Sequence, residues 1–358
     1  MKTLVIRLSS IGDILLTTPL LRSLRRVYPD MEIDFCVFKE YSELVENNPN
    51  ISRVISIDRL SAIREGRTKI QSQEKYDYVI DLHNNFRSRV LRFGKGKKIF
   101  TVNKRSFRRW LLVKTKINLL QNTSDVIGRY FEAAHRLGVI DDKEGLDFTD
   151  ALDLQKLGDL INNSDITDFL LHTEPEKMLV GVCPGAKHFT KRWLPERFAE
   201  LVSTLIRKKN AQILLFGGKE DAERCTAIRA QALISLTLSK KTVAVSIEKS
   251  VIDLSGKLTL SEIAATMKQC DLLITNDTGL MHVASAQKKP LIALFGSTVK
   301  EFGFFPTSPN SIIVENRQLT CRPCTHIGRD TCPLGHFRCM DDIKLEDVLK
   351  AIEQILIR

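Results

Sequence analysis

The sequence predicts an α/β protein of two doubly wound domains, each built on a parallel sheet. Three observations carry this reading. A chain of 358 residues with 43% hydrophobic content exceeds what one compact core usually organises. Short runs rich in Val, Ile and Leu alternate with amphipathic segments along its length. Those runs are continuously apolar rather than alternating, as in parallel strands covered on both faces.

In the first half, residues 3–8, 32–38, 53–57 and 78–82 read as strands, and an amphipathic run over 14–26 follows the first. The second half repeats the pattern with strands at 178–183, 212–216, 242–246, 271–275 and 291–295, and with helices over 195–209 and 260–269. Pro195 at a first turn, and Ser261 followed by Glu262, mark helix starts. The alternation gives successive βαβ units. Between the halves, residues 141–176 are polar, and Asn162, Asn163, Ser164, Thr173 and Pro175 interrupt any regular pattern. The linker is placed at 172–177, giving expected domains at 1–172 and 178–340, followed by a terminal helix over 344–357 within the segment 341–358. No repeat of solenoid period and no low-complexity tract is present, which excludes an array or a disordered scaffold.

The formal net charge of +11 is concentrated: residues 87–116 hold twelve Lys or Arg and no acidic residue. An anionic partner is expected there, whether nucleic acid, a phosphate-bearing sugar or the negative face of a membrane, against the plain alternative of a solvated face. Arg7 and Asp13 interrupt the apolar stretch after Met1, no small-residue cleavage signal follows, and no later run reaches spanning length. A soluble, cytoplasmic protein is expected. Cys36, Cys183, Cys225 and Cys270 sit singly in apolar surroundings and read as reduced core residues.

In open parallel sheets, ligands bind beyond the carboxyl ends of strands, where loops lead into helix N-termini that attract anions. Four loops fit. Ser9-Ser10-Ile11-Gly12-Asp13 follows the first strand and puts a carboxylate at a helix start. As a helix cap Asp13 would be ordinary, but capping does not account for the whole loop. Pro184 to Trp193 combines Gly185 with the cations Lys187, Lys191 and Arg192 and the hydroxyl of Thr190, a composition suited to a diphosphate. Trp193 itself reads as loop-anchoring core rather than as a stacking platform. Gly217 and Gly218 precede Asp221, which is placed to accept hydrogen bonds from ribose hydroxyls. Asn276-Asp277-Thr278-Gly279-Leu280-Met281-His282 ends a strand and opens a helix whose amides would point at a phosphate.

The Ser-Ser-Ile-Gly-Asp loop followed by Thr18-Pro19-Leu20, the Pro184-Gly185-Ala186 to Lys191-Arg192-Trp193 segment and the 276–282 segment occur together and in order. In this the chain resembles the ADP-heptose:lipopolysaccharide heptosyltransferases, glycosyltransferase family 9, over nearly its whole length. The resemblance implies a GT-B architecture, two Rossmann-like domains facing a central cleft, with the last helix crossing back to the first domain. It implies Asp13 as general base, and Lys191 with the Thr278 and Gly279 amides around the donor diphosphate. Asp221 would lie near the ribose, and Asp277 and His282 near the transferred sugar. Ala186 and Lys187 stand where some members carry small polar residues that touch phosphate, and the resemblance implies that Lys187 would take over that contact. The basic first half would meet an anionic lipopolysaccharide precursor, a Kdo-bearing lipid A core, with Ser10, Gly12, His83, Asn84 and Arg87 on the acceptor side and at most peripheral contact with the inner membrane surface. His83 reads equally as a loop residue satisfied by backbone.

Such an enzyme would be inverting: Asp13 takes the proton of an acceptor hydroxyl as it attacks the anomeric carbon, while Lys191 and helix amides stabilise the departing ADP. The chain contains no Asp-x-Asp, so no catalytic metal or other cofactor is expected. Cys321, Cys324, Cys332 and Cys339 fall within nineteen residues, with His326 and His336 among them. That spacing could wrap one tetrahedral structural zinc, against the plainer reading of a reduced or disulfide-stapled loop. Two other readings compete: a transferase of the same fold using another nucleotide sugar, and a nucleic-acid-binding protein acting through Arg108, Arg109 and Trp110. The second leaves unexplained why Asp13, Lys191 and Asp277 each follow a strand and open a helix, so no nucleic acid partner is expected.

Overall fold

Five parallel strands form the first sheet: β1 (Lys2–Ile6), β2 (Glu32–Phe38), β3 (Arg53–Ile57), β4 (Tyr76–Asp81) and β5 (Gly96–Thr101), in the order β3-β2-β1-β4-β5. Six form the second: β6 (Leu179–Cys183), β7 (Gln212–Leu215), β8 (Val251–Asp253), β9 (Leu272–Asn276), β10 (Leu291–Phe295) and β11 (Ser311–Glu315), in the order β11-β10-β9-β6-β7-β8, again parallel throughout. Both orders are those of a Rossmann-like sheet, reversing direction between β1 and β4 and between β6 and β9. This computed structural model describes residues 1–70, 75–148, 177–238 and 248–357. The linker expected at 172–177 and the strand expected at 242–246 lie outside the described residues.

The chain divides into two compact units. The first comprises Met1–Leu112, Ile117–Thr149 and Glu301–Phe304; the second comprises Val113–Lys116, Asp150–Lys300 and Phe305–Arg358. Neither is a continuous stretch. Glu301–Phe304 serve the first unit through backbone contacts: the Arg129 Nη2 donates to the Phe302 carbonyl at 2.7 Å, and the Val126 N–H donates to the Gly303 carbonyl at 3.3 Å.

The run expected as one helix over 14–26 is two, α1 (Ile11–Leu15) and α2 (Thr18–Val27). The hydroxyls of Thr17 and Thr18 donate back to the carbonyls of Ile14 and Leu15 at 2.7 and 2.8 Å, competing with the helical ladder where it breaks. The helix Leu260–Gln269 is capped by Thr259 rather than started at Ser261. Thr259 Oγ1 accepts from the Glu262 N–H, and Glu262 Oε2 accepts from the Thr259 N–H at 2.6 Å.

The basic stretch is ordered structure, contributing most of α5 (Phe86–Arg92), β5 and α6 (Ser106–Thr115). The C-terminal helix spans Leu345–Leu356 and is part of the second unit. Its apolar face, Val348, Ala351, Ile352 and Ile355, is buried in the core of the second unit with Trp193, Phe198 and Leu201. It packs on the helix Pro195–Lys209 and on β10 and β11, whose apolar surface its stripe matches. Among the described residues, no helix is long and apolar enough to cross a membrane.

Candidate active site

In the first unit the loops leaving β1 and β4 flank the point where strand order reverses, the place at which open α/β sheets bind ligands. Asp13 lies in the first turn of α1, but its carboxylate does not cap the helix. Its Oδ1 pairs with Arg7 Nη2 at 2.7 Å, and its Oδ2 accepts from the Ser10 hydroxyl at 3.1 Å. Tyr130, from α7 (Val126–Ala134), donates its hydroxyl to the Asp13 carbonyl at 3.3 Å. The Asp13 side chain keeps 22% of its surface exposed, so a hydroxyl can reach it. Arg7 also donates to the Leu82 carbonyl at 2.6 Å, tying the β1 loop to β4. Burial disfavours its charge, yet Asp13, Tyr130 and Asp81 outweigh that and raise its pKa.

Asp81, fully buried at the end of β4, shapes the next loop. It accepts from the backbone N–H groups of His83 and Asn84 at 3.0 and 2.6 Å, from Ser88 at 2.9 Å and from Arg92 at 2.8 Å. Asn84, expected on the acceptor side, is consumed by this turn. It adopts φ 42°, donates its amide to the Val102 carbonyl at 2.9 Å and accepts from Arg89 at 3.3 Å. Gly12 is buried inside α1, and Arg87 is exposed. With Leu60, Arg64, Arg67 and Phe86, Arg87 lines an open hollow of about 960 Å³ between α4 (Ala62–Lys69) and α5.

His83 is held neutral: burial, with the charges of Arg7 and Lys104, pushes its pKa down to about 3 despite opposing help from Asp13 and the Ser9 backbone. The unfolded chain takes up this proton below an ordinary value near 6.5, and the fold not until about 3. The unfolded state thus binds more protons in that window, so stability falls as pH drops through it. Urea unfolding across the window is expected to show a flatter acid limb for His83→Gln than for the unmodified protein. Equal slopes would mean that His83 titrates alike in both states.

In the second unit the loops after β6 and β9 occupy the equivalent reversal point. Asn276 locks them together, accepting from the Trp193 N–H at 3.1 Å and donating to the Pro184 carbonyl at 2.8 Å. Trp193 is fully buried, packed edge-on against Phe198 with its indole N–H on the Ile343 carbonyl at 3.0 Å, and so anchors the loop. The result is an ion pair between Lys191 Nζ and Asp277 Oδ2 at 2.9 Å, with the Thr298 hydroxyl donating to the same carboxylate at 2.5 Å. Thr278 stands at the N-cap of the helix Gly279–Ala286 without a side-chain cap bond, and His282 is buried one turn further on.

Asp221 abuts two glycines. A β-carbon on Gly185 would sit 2.2 Å from its carboxyl, and one on Gly217 would sit 2.6 Å from its Cβ, so both positions need glycine. Burial raises the Asp221 pKa, opposed by the hydrogen bond it accepts from the Gly218 N–H at 3.2 Å. Thr190 departs from expectation. It is buried, and its hydroxyl oxygen accepts from the Arg329 N–H at 2.9 Å and from Ser297 at 3.0 Å, so it braces the loop instead of facing a ligand. Lys187 is exposed.

Of the readings left open for the four clustered cysteines, the free thiols are the one present. All are free cysteines, and among the described residues no three or more His, Cys, Asp or Glu are grouped so as to hold a metal ion. Cys339 is drawn into the core of the second unit, where burial pushes its thiol up to about 12. Burial and the neighbouring sulfurs of Cys321 and Cys332 raise Cys324 likewise.

Sequence reading missed Arg7, Tyr130 and Thr298, which complete the two clusters from separate segments. Arg7 alone carried a local signal, a charge at the end of an otherwise apolar strand.

Two Rossmann-like units of this kind make the fold GT-B, and the chain is a glycosyltransferase. It belongs to glycosyltransferase family 9 (heptosyltransferase), whose family model matches residues 68–334. It is 28% identical over 310 residues, 84% of each chain, to lipopolysaccharide heptosyltransferase 2 of Escherichia coli K12. A glycosyl transferase family 9 structure from Veillonella parvula shares the fold with TM-score 0.75 and 24% identity, covering 99% of this chain and 97% of that one. The E. coli ADP-heptose LPS heptosyltransferase II structure superposes with TM-score 0.70 and 22% identity, covering 100% and 99%.

Proposed function

We propose that this protein transfers heptose, with inversion, from ADP-heptose to an anionic lipopolysaccharide inner-core acceptor at the cytoplasmic face of the membrane. The observation that carries the reading is the Asp13 carboxylate, held by Arg7 and Ser10 at a strand-order reversal and open to an incoming hydroxyl. Asp13 takes the acceptor's proton as its oxygen attacks the anomeric carbon and the bond to ADP breaks. Arg7 holds the carboxylate charged and in place. Lys191 and the amides at Thr278 and Gly279 receive the charge that builds on the departing diphosphate, and Asp277 fixes the ammonium for that task. Asp221 accepts from the ribose, with Gly185 and Gly217 admitting close approach. No cofactor takes part in these steps.

The first unit's hollow, with Arg64, Arg67 and Arg87 beside exposed Leu60 and Phe86, suits an amphiphilic acceptor and peripheral contact with an anionic bilayer. The test is transfer by purified protein from ADP-heptose to Kdo-lipid A in chelator, with the acceptor in detergent or in vesicles of anionic phospholipid. Heptosylated product in chelator is expected, formed faster on vesicles. No product from folded protein would redirect the assignment to other nucleotide sugars, and equal rates in the two media would remove the membrane from it.

A further inference from the structure

In the second unit, the buried guanidinium of Arg322 spends two of its hydrogen bonds on a bend that touches both sides of the Lys191–Asp277 pair. Arg322 exposes only 5% of its side chain, and its charge is met by Glu315, itself 8% exposed, through Nη2 and Oε2 at 2.7 Å. Its Nη1 donates to the Asn316 carbonyl at 2.5 Å. These contacts close the end of β11. The others reach past it: Nε donates to the Gly296 carbonyl at 2.5 Å, and Nη2 donates to the Thr298 carbonyl at 2.8 Å. Residues 296–298 follow β10, where the chain has left the sheet ladder and its carbonyls need other donors. A planar fork can hold two such carbonyls at once, which a point charge on a flexible stem cannot.

The bend held in this way meets the Lys191–Asp277 pair twice. The Thr298 hydroxyl donates to Asp277 Oδ2 at 2.5 Å, the same oxygen that pairs with Lys191 Nζ at 2.9 Å. Ser297 donates its N–H to the Thr190 carbonyl at 3.2 Å and its hydroxyl to Thr190 Oγ1 at 3.0 Å, and Thr190 directly precedes Lys191. The approach is close, since a β-carbon on Gly296 would sit 2.7 Å from the Thr190 carbonyl oxygen. Through Thr298 the guanidinium is linked to the acid that fixes the ammonium, and through Ser297 to the backbone that carries it. A residue that merely closed the edge formed by β10 and β11 would need Glu315 and Asn316 alone, and the exposed Arg317 already pairs with Glu315 at 2.9 Å.

We propose that Arg322 is a positioning residue for the donor diphosphate. It clasps the 296–298 bend, the bend sets Asp277 and Thr190, and these hold the Lys191 ammonium where charge builds on the leaving group. Arg322 itself touches no substrate and moves no proton. The inference rests on the reading of Lys191 as the cation of the diphosphate, and it adds the residue that keeps that cation in register.

A double-mutant cycle on the full chain separates positioning from bracing, because only positioning depends on Lys191. ADP affinity by isothermal titration and kcat/KM for donor are measured together. Arg322→Lys keeps a charge beside Glu315 and loses the fork, while Arg322→Met combined with Glu315→Gln removes the pair without stranding a carboxylate. Each is expected to weaken ADP binding and lower kcat/KM for donor by about tenfold, with the KM for acceptor within about twofold. In a Lys191→Met background the same changes should cost no more than about twofold further. Arg317→Gln, at the exposed partner of Glu315, should leave both quantities unchanged, and unfolding midpoints report whether each variant is folded. An equal loss with and without Lys191, or full ADP affinity in the folded Arg322 variants, overturns the positioning role. If Lys191→Met binds ADP and uses donor as the unmodified protein does, the reading of Lys191 fails and takes this role with it. Coupling seen with ADP, but no transfer from ADP-heptose, instead keeps the role and removes the heptosyl reading.

Discussion

Asp13→Asn is expected to lower kcat by about a hundredfold to ten-thousandfold while leaving the KM for donor within about twofold, as fits loss of a general base. The amide keeps the shape of the carboxylate and can still meet the Ser10 hydroxyl, so the change removes basicity rather than geometry. It also strips Arg7 of its counter-charge. Arg7 retains the Leu82 carbonyl, but it is buried, and the variant should lose about 1–3 kcal/mol of stability as well. Rates must therefore be measured well below the variant's unfolding temperature, with ADP release and heptosylated product followed together. A kcat within tenfold of the unmodified enzyme would remove Asp13 from proton transfer.

Lys191→Met should reduce kcat/KM for donor by about a hundredfold or more if, as proposed, the ammonium stabilises the departing diphosphate. A structural side effect is separable. Asp277 is left with the Thr298 hydroxyl as its partner and little solvent, its side chain being only 6% exposed, so stability should fall by about 1–3 kcal/mol. The double variant Lys191→Met with Asp277→Asn should recover much of that stability by removing the stranded charge, and none of the activity. Recovery of both would make the pair a brace with no part in leaving-group stabilisation.

How much of this was legible in the sequence follows from where each residue sits in the sheets. The strands buried on both faces announced themselves as apolar runs. The strands missed were β5, β8 and β11, and among the described residues all three lie at sheet edges. There one side meets no neighbouring strand, and residues such as Lys97, Lys98 and Glu315 are admitted. The terminal helix was legible as amphipathic, but its stripe says only that it packs, not on what. The same limit applies within the sites. Loop position and residue type pointed to Asp13, Lys191, Asp277 and Asp221, since each follows a strand end. The same criteria also flagged Thr190 and Asn84, whose polar atoms are spent on holding their own loops.

The short segment Glu301–Phe304 limits how such an enzyme can diversify. Although it follows β10 in the chain, it supplies the carbonyl that satisfies Arg129 and a glycine that approaches Asp125 so closely that a β-carbon would sit 2.7 Å from the Asp125 Cα. The two halves are therefore not interchangeable cassettes. Recombination at the linker would give a chimera whose N-terminal half meets another lineage's version of this segment, and a grafted half would need residues 301–304 to travel with it. Drift in the first unit should accordingly be coupled to a few residues deep in the other half of the gene.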